Sequence, residues 1–382
     1  MSKLEELIEK LCPDGVEFKT LDNVSRITKG DQLNKTDMKD EGSYPVINGG
    51  INPSGYVEKY NRNENTITIS QGGASAGYVN WIEKKFWAGA HCYTPIPLDC
   101  ILNRYLYHFI KMNEKKLQEC QYGAGIPALA KSTIAALSIP VPPLEVQREI
   151  VRVLDSFTLL TAELTAELTA RCKQYEYYRD ELLASKEESR EYVLLEEIAK
   201  IKNGKDYKHL KTGNVPVYGS GGIMSYVNES VYNKPTVLIP RKGSLNNLFY
   251  VDVPFWNVDT IFYTEIDETK VNPKYLYYLL QKEHLEDFNT AGGVPSLTQK
   301  VLNKVKLCIP NMEKQLKIVK CLDNFDAICS DLNIGLPAEI EARKQQYEYY
   351  RDVLLTFAET GKIIVTDRQT DRQTDRQTDR QT

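Results

Sequence analysis

Between Ile150 and Leu183 apolar side chains recur in steps of three and four, at Ile150, Val153, Phe157, Leu160, Leu164, Leu168, Cys172, Tyr175, Tyr178 and Leu182. That spacing predicts one long helix with a single apolar stripe, which needs a partner helix to cover it. Inside it Thr161–Leu168 spells TAEL twice, and Thr169-Ala170 begins a third copy. Four residues of helix add about 6 Å and rotate the rest of the helix by about 40° beyond a full turn, so the stretch works as an adjustable spacer. Its second half returns later, because QYEYYRD occupies Gln174–Asp180 and again Gln346–Asp352. Its beginning returns too: Gln147, Ile150-Val151, Leu154-Asp155 and Phe157 match Gln315, Ile318-Val319, Leu322-Asp323 and Phe325. The later copy is longer and contains Gly335-Leu336-Pro337, which predicts a helix that breaks and restarts with Pro337 in its first turn.

The segments before each spacer also repeat. A short helix over Leu4–Leu11, ended by Cys12-Pro13-Asp14-Gly15, precedes strand-like runs at Tyr44–Ile47, Thr66–Ser70 and Tyr78–Ile82. Asn and Gly clusters separate these runs, the pattern of a β-rich domain. Leu102–Glu119 reads as one helix, and Ile139-Pro140-Val141-Pro142-Pro143 leads into the long helix at Leu144. From Tyr192 the same events recur. Pro45-Val46 and Gly49-Gly50 are answered by Pro216-Val217 and Gly221-Gly222, Phe86-Trp87 by Phe255-Trp256, and Tyr105-Leu106-Tyr107 by Tyr275-Leu276-Tyr277. Gly125-Ile126-Pro127 is answered by Gly293-Val294-Pro295, and Ile139-Pro140 by Ile309-Pro310, all at offsets of 168 to 172 residues. The chain is therefore a duplicated domain-plus-helix unit of the α+β class. The expected boundaries are a first head at 1–143, a spacer at 144–191, a second head at 192–311, a second spacer at 312–365 and a tail at 366–382.

Composition narrows the function. The 382 residues are 42% apolar and 26% charged, with a formal net charge of -4, which is low for an independent duplex-binding protein. The deficit sits on the spacers. Residues 1–143 carry 16 Lys+Arg against 16 Asp+Glu and 192–311 carry 14 against 12, whereas 144–191 carry 7 against 11 and 312–365 carry 7 against 9. The eight cysteines form no CxxC pair and the four histidines no HxxxH, so neither a zinc site nor a disulfide framework is indicated. His91, His108, His209 and His284 stand isolated and are assigned no chemistry. Met1–Glu17 lacks the basic start and apolar core of a signal peptide, and no run is long enough to cross a membrane, so a cytoplasmic protein is expected. There is no GxGxxG after a strand, no GxxxxGK[ST] and no Asn-Pro-Pro-aromatic or Asp-Pro-Pro-aromatic tetrad, which removes the usual nucleotide and amino-methyltransferase signatures.

Taken together, the duplicated YEYYRD boxes, the TAEL repeats and the Pro-Pro-Leu-Glu start of the spacer at Pro142–Glu145 resemble the specificity subunit of a Type I restriction-modification system over nearly the whole chain. The resemblance implies two target recognition domains, each reading one half of a split, asymmetric DNA sequence, with the two spacers packed as antiparallel coiled-coil helices in a pseudo-twofold repeat. It implies a non-catalytic subunit that docks two methyltransferase subunits and, in the full endonuclease, two translocating restriction subunits. S-adenosylmethionine, ATP and Mg2+ then belong to those partners and no cofactor to this chain. A non-DNA scaffold with tandem interaction domains is the rival reading, supported by the mild net charge.

Grooves are read from exposed loops by Asn, Gln, Ser, Arg and Lys. Beside glycine turns this selects Asn48, Gln71, Ser75 and Lys131 in the first head, and Ser220, Arg241, Lys242, Ser244, Asn246, Gln299 and Lys300 in the second. Leu164, Leu168, Tyr175, Tyr178, Tyr347 and Tyr350 fall on the spacer stripes and are expected to pack helix on helix, and Trp87 and Trp256 to anchor the cores. The tail repeats TDRQ four times without one apolar residue, a composition that does not fold. Four codons are twelve nucleotides, and ACAG repeated reads Thr, Asp, Arg, Gln, so the two readings of the tail are a slippage-prone tetranucleotide tract and an inert extension.

Overall fold

The computed structural model describes residues 3–123, 125, 127–184, 191–289, 295–330 and 335–360. The TDRQ tail lies outside these residues, as do Ile126 of the first Gly-Ile-Pro turn and Gly293-Val294 of the second. The apolar stripe forms one helix, Leu144–Ala184, here called the central helix. Its spacer threonines turn their hydroxyls onto the preceding turn, Thr158 donating to Leu154 O, Thr161 to Phe157 O and Thr169 to Thr165 O, so they leave the ladder intact. The later copy forms two helices, Met312–Ser330 and Leu336–Thr360. The restart places Pro337 second in the helix, where its missing N–H has no intrahelical partner to lose.

Contacts divide the chain into two compact units that do not follow chain order. Among the described residues one unit joins those up to 163 to those from 340 onward, and the other lies within 164–339. In the first unit Ile150 and Leu154 of the central helix share a core with Leu4, Ile8, Tyr105, Leu106 and Ile139 of the head and with Leu354, Leu355 and Phe357 of the last helix. In the second unit Leu183, from the other end of the central helix, joins Ile318, Val319 and Leu322 and the head residues Tyr275, Leu276, Leu279 and Leu307. Phe157 stacks on Tyr350 with ring centroids 5.1 Å apart, and its counterpart Phe325 stacks on Tyr178 at 5.8 Å. The earlier ring of the central helix meets the later helix and the later ring the earlier one, which is an antiparallel order.

The heads repeat strand for strand. In the first, an antiparallel sheet runs in the order Ser25–Lys29, Cys92–Pro97, Thr66–Ser70, Val79–Ile82. A second sheet runs Tyr56–Val57, Tyr44–Ile47, Trp87–Ala88, its last pair parallel with Val46 opposite Trp87. In the second head the corresponding orders are Ala199–Asn203, Ile261–Ile266, Thr236–Pro240, Phe249–Val251 and Gly222–Val227, Thr212–Gly219, Trp256–Asn257, with Val217 parallel to Trp256. Each head is closed by a small ribbon just ahead of its spacer, Phe18–Thr20 with Ser138–Pro140 and Glu191–Leu194 with Lys306–Ile309.

One expected element differs. Leu102–Glu119 is two helices, Asn103–Met112 and Glu114–Glu119. Asn113 between them takes φ -88 and ψ 5, outside the helical range, and its side-chain amide shares Phe109 O with its own backbone N–H. Trp256 is 8% exposed and buried as expected, while Trp87 is only half-buried. Both indole N–H groups donate to backbone carbonyls, Trp87 to Asp31 O and Trp256 to Lys205 O.

Candidate nucleic-acid interface

Each head is fastened to its spacer by a buried glutamine. Gln147 Oε1 accepts from Leu102 N–H, and its Nε2 donates to Cys100 O and Pro142 O. Gln315 repeats this with Asn272 N–H, Lys270 O and Pro310 O. Both side chains are almost wholly buried, at 0% and 1% exposed, and every polar atom is used. A second fastening lies about two turns further along each spacer. In the first unit Asp155 accepts from Arg104 Nε at 2.7 Å and pairs with His108 Nε2 at 2.9 Å, while His108 Nδ1 meets Tyr347 Oη at 2.9 Å. In the second unit Asp323 accepts from Tyr278 Oη at 2.6 Å and pairs with Lys274 at 3.0 Å.

Burial holds the His108 imidazole below its ordinary value, against the opposing bond to Asp155. Burial also pushes the Tyr347 phenol up. A neutral imidazole that gives its Nε2 proton to Asp155 and accepts from Tyr347 at Nδ1 satisfies all three groups. Burial would raise the Asp155 carboxyl, but the bonds from His108 and Arg104 outweigh it and leave it lowered. His108 is therefore not isolated, as the sequence suggested. Its partner Tyr347 is 239 positions away.

These fastenings leave a loop frame at one end of each sheet, built the same way in both heads. In the first, Gln71 N–H donates to His91 O, Leu129 N–H to Gln71 O and Gly73 N–H to Pro127 O, and Gly72 bridges Ala128. In the second, Arg241 N–H donates to Thr260 O, Leu297 N–H to Arg241 O and Gly243 N–H to Pro295 O, and Lys242 bridges Ser296. Gly73 and Gly243 both take the left-handed conformation, φ 77 and φ 85, which a side chain would strain. The backbone is common while the side chains it displays are not. Gln71-Gly72 stands in one head where Arg241-Lys242 stands in the other.

The remaining candidates fall around these frames. Asn48 is half-buried, its Oδ1 accepting from His91 N–H at 3.3 Å. Ser75 lies in the turn after Gly73, its carbonyl accepting from Tyr78 N–H. Lys131 is exposed at the start of the helix Lys131–Ala135. In the second head Ser220 N–H donates to Thr260 Oγ1 and Asn247 Nδ2 to Ser220 O, drawing Ser220, Arg241 and Asn247 together. Arg241 is half-buried with its guanidinium 5.9 Å from the Phe262 ring centre, and Lys242, Ser244, Asn246 and Lys300 are exposed. Gln299 is already engaged, its Nε2 donating to Ile201 O.

On the spacers Leu164 is buried and Leu168 half-buried. Tyr178 and Tyr350 make the ring stacks, Tyr175 packs on the second core and Tyr347 reaches the head through His108. Sequence reasoning matched Gln147 with Gln315 but missed the role of the pair. The signal was a glutamine placed where an apolar stripe begins. Among the described residues no group of three or more His, Cys, Asp or Glu could hold a metal ion, and no helix is long and apolar enough to cross a membrane.

The sequence profile of the type I restriction modification DNA specificity domain matches this chain twice, at residues 13–174 and 187–342. The chain belongs to that family. It is 30% identical to the specificity subunit of an Escherichia coli type I restriction enzyme, covering 94% of this chain and 97% of that one. It is 31% identical to a Haemophilus influenzae protein described as such a subunit, over 94% of this chain and all of the other. The solved S subunit of a type I restriction-modification system from M. genitalium superposes with TM-score 0.58 at 25% identity, covering 90% of this chain and 96% of that one. The matched segments are the two heads with parts of their spacers, so the family's specificity domain is the unit that this chain duplicates.

Proposed function

We propose that this specificity subunit reads a bipartite DNA target, one half with each head, and that the frames Gln71–Gly73 and Arg241–Gly243 present the reading side chains. The observation that carries this is one backbone frame displaying unlike side chains in two heads of the same fold. A scaffold common to both heads fixes depth and orientation, and the side chains set the sequence. Arg241 and Lys242 suit a guanine edge or a phosphate, and Gln71 an adenine edge. Methyl transfer belongs to two docked methyltransferase subunits, and cleavage to two restriction subunits where they join. Those partners carry S-adenosylmethionine, ATP and Mg2+, and the assembly works in the cytoplasm. The antiparallel helices hold the gap between half-sites.

The test is methylation mapping of cells expressing Arg241→Gln, Lys242→Gln or Gln71→Ala with the methyltransferase subunits. Each change alters or relaxes one half of the methylated motif and leaves the other half intact. A motif unchanged in all three, or altered in both halves by one substitution, contradicts the assignment.

A further inference from the structure

Beside the frame each head carries a tip that the sequence repeats, Gly49-Gly50-Ile51 in the first and Gly221-Gly222-Ile223 in the second. Both isoleucines face solvent, Ile51 57% exposed and Ile223 50%. Each tip is tied to its frame. Ser70 Oγ, next to Gln71, donates to Gly49 O, and a Cβ on Gly49 would stand 2.8 Å from His91 O, the carbonyl that holds Gln71. In the second head Ser220-Gly221 turns the strand Thr212–Gly219 into Gly222–Val227, and a Cβ on Gly243 would stand 3.6 Å from Ser220 Oγ. Met224 and Tyr226 extend the exposed apolar surface there, at 58% and 51%. Exposed cations flank both places, Lys242 at the second frame and Lys131 two residues beyond Leu129 at the first.

The frames differ between heads, as reading two different half-sites requires, but the isoleucine does not. A contact kept the same in two heads that read different sequences carries no sequence information. We propose that Ile51 and Ile223 are apolar wedges, each pressed by its head against a base step of the duplex whatever bases stand there. Apolar side chains inserted at base steps unstack them without reading their edges, and the neighbouring cations fit the adjoining phosphates. This rests on the DNA-reading proposal above and adds to it a contact that sets affinity and duplex shape rather than specificity.

The test uses the full chain assembled with its methyltransferase subunits, as wild type, Ile51→Ser, Ile223→Ser and Arg241→Gln. Binding is measured on the target duplex and on one with a scrambled half-site, with 2-aminopurine moved stepwise through each half-site to report unstacking. Each isoleucine substitution weakens binding to both duplexes about 5-fold, the effect of losing roughly half the burial of one such side chain. It also lowers the 2-aminopurine signal of its own half-site and leaves the methylated motif unchanged. Unchanged affinity for both duplexes, while Arg241→Gln still alters the motif, overturns the wedge and spares the DNA-reading proposal. A changed motif overturns the sequence-blind role. Weaker assembly with the methyltransferase subunits at unchanged duplex affinity assigns the tips to protein contact and overturns the wedge. A wild-type complex that binds no duplex removes both proposals.

Discussion

Single side chains at the head-to-spacer joints carry unusual weight because each serves several backbone groups at once. Gln147→Leu leaves Leu102 N–H and the Cys100 and Pro142 carbonyls without their partner in a fully buried place. At about 1–3 kcal/mol for a buried group left unpaired, the loss is about 3 kcal/mol or more, read by denaturant unfolding of the complex-free chain. Gln147→Glu is a weaker remedy, since it keeps an acceptor but loses the amide donor. His108 gives the joint a pH dependence. Its folded-state value lies below the ordinary 6.5 because burial disfavours the charged ring. The unfolded chain therefore takes up the proton first, and stability is full above about pH 6.5 and declines as pH falls below it. Asp155 does not enter this window, because its value is lowered from 3.8 and its stabilisation is lost only as pH falls below that. Thermal melts from about pH 7.5 to 5 show the decline in the wild type and a shallower one in His108→Gln. An equal slope in both removes the assignment. The glutamine pair left a trace in the sequence, but the role of His108 did not. A histidine looks isolated when its partners Asp155 and Tyr347 come from a helix 47 positions on and another 239 positions on.

At the scale of elements the sequence was more informative, for a physical reason: helices and duplications are local or periodic signals, and the long helix, its broken copy and three strands of the first head follow from them. What it misplaced was the end of a helix. Leu102–Glu119 has helical spacing throughout, and the break is a change of backbone conformation at the single residue Asn113, which leaves that spacing untouched. The parallel pairing of Val46 with Trp87 and of Val217 with Trp256 was also hidden, because a two-residue pairing leaves no periodicity to detect. The TAEL copies are the element with a measurable consequence. Duplex DNA turns by about 34° per base pair, close to the net turn of about 40° that one four-residue unit gives a helix. Deleting Thr165–Leu168 shortens the unread gap between half-sites by about one base pair, read by methylation mapping. An unchanged gap contradicts a spacer role for the repeat.

For the whole molecule the organising fact is that each compact unit closes with helix from the opposite end of the duplication. Residues 340–360 of the last helix complete the unit that begins at the amino terminus, and the latter half of the central helix completes the other. The ring pairs Phe157 with Tyr350 and Tyr178 with Phe325 are the same contact made twice with the roles of the helices exchanged. Within this pseudo-twofold chain the asymmetry that bears on DNA reading lies in the frames, which share a backbone and differ in Gln71-Gly72 against Arg241-Lys242. The duplication was visible in the sequence at offsets of 168 to 172 residues. The exchange of helices was implied by the family resemblance and not by the periodicity, because which copy covers which stripe is decided only when the chain closes on itself. The most direct measurement is methylation mapping of a chain in which residues 13–143 are replaced by the corresponding part of the second head. Two identical heads in an antiparallel frame predict a methylated motif whose halves are inverted repeats of the second half-site. A motif with its two halves as direct repeats, or one that keeps the original asymmetric sequence, would contradict the account.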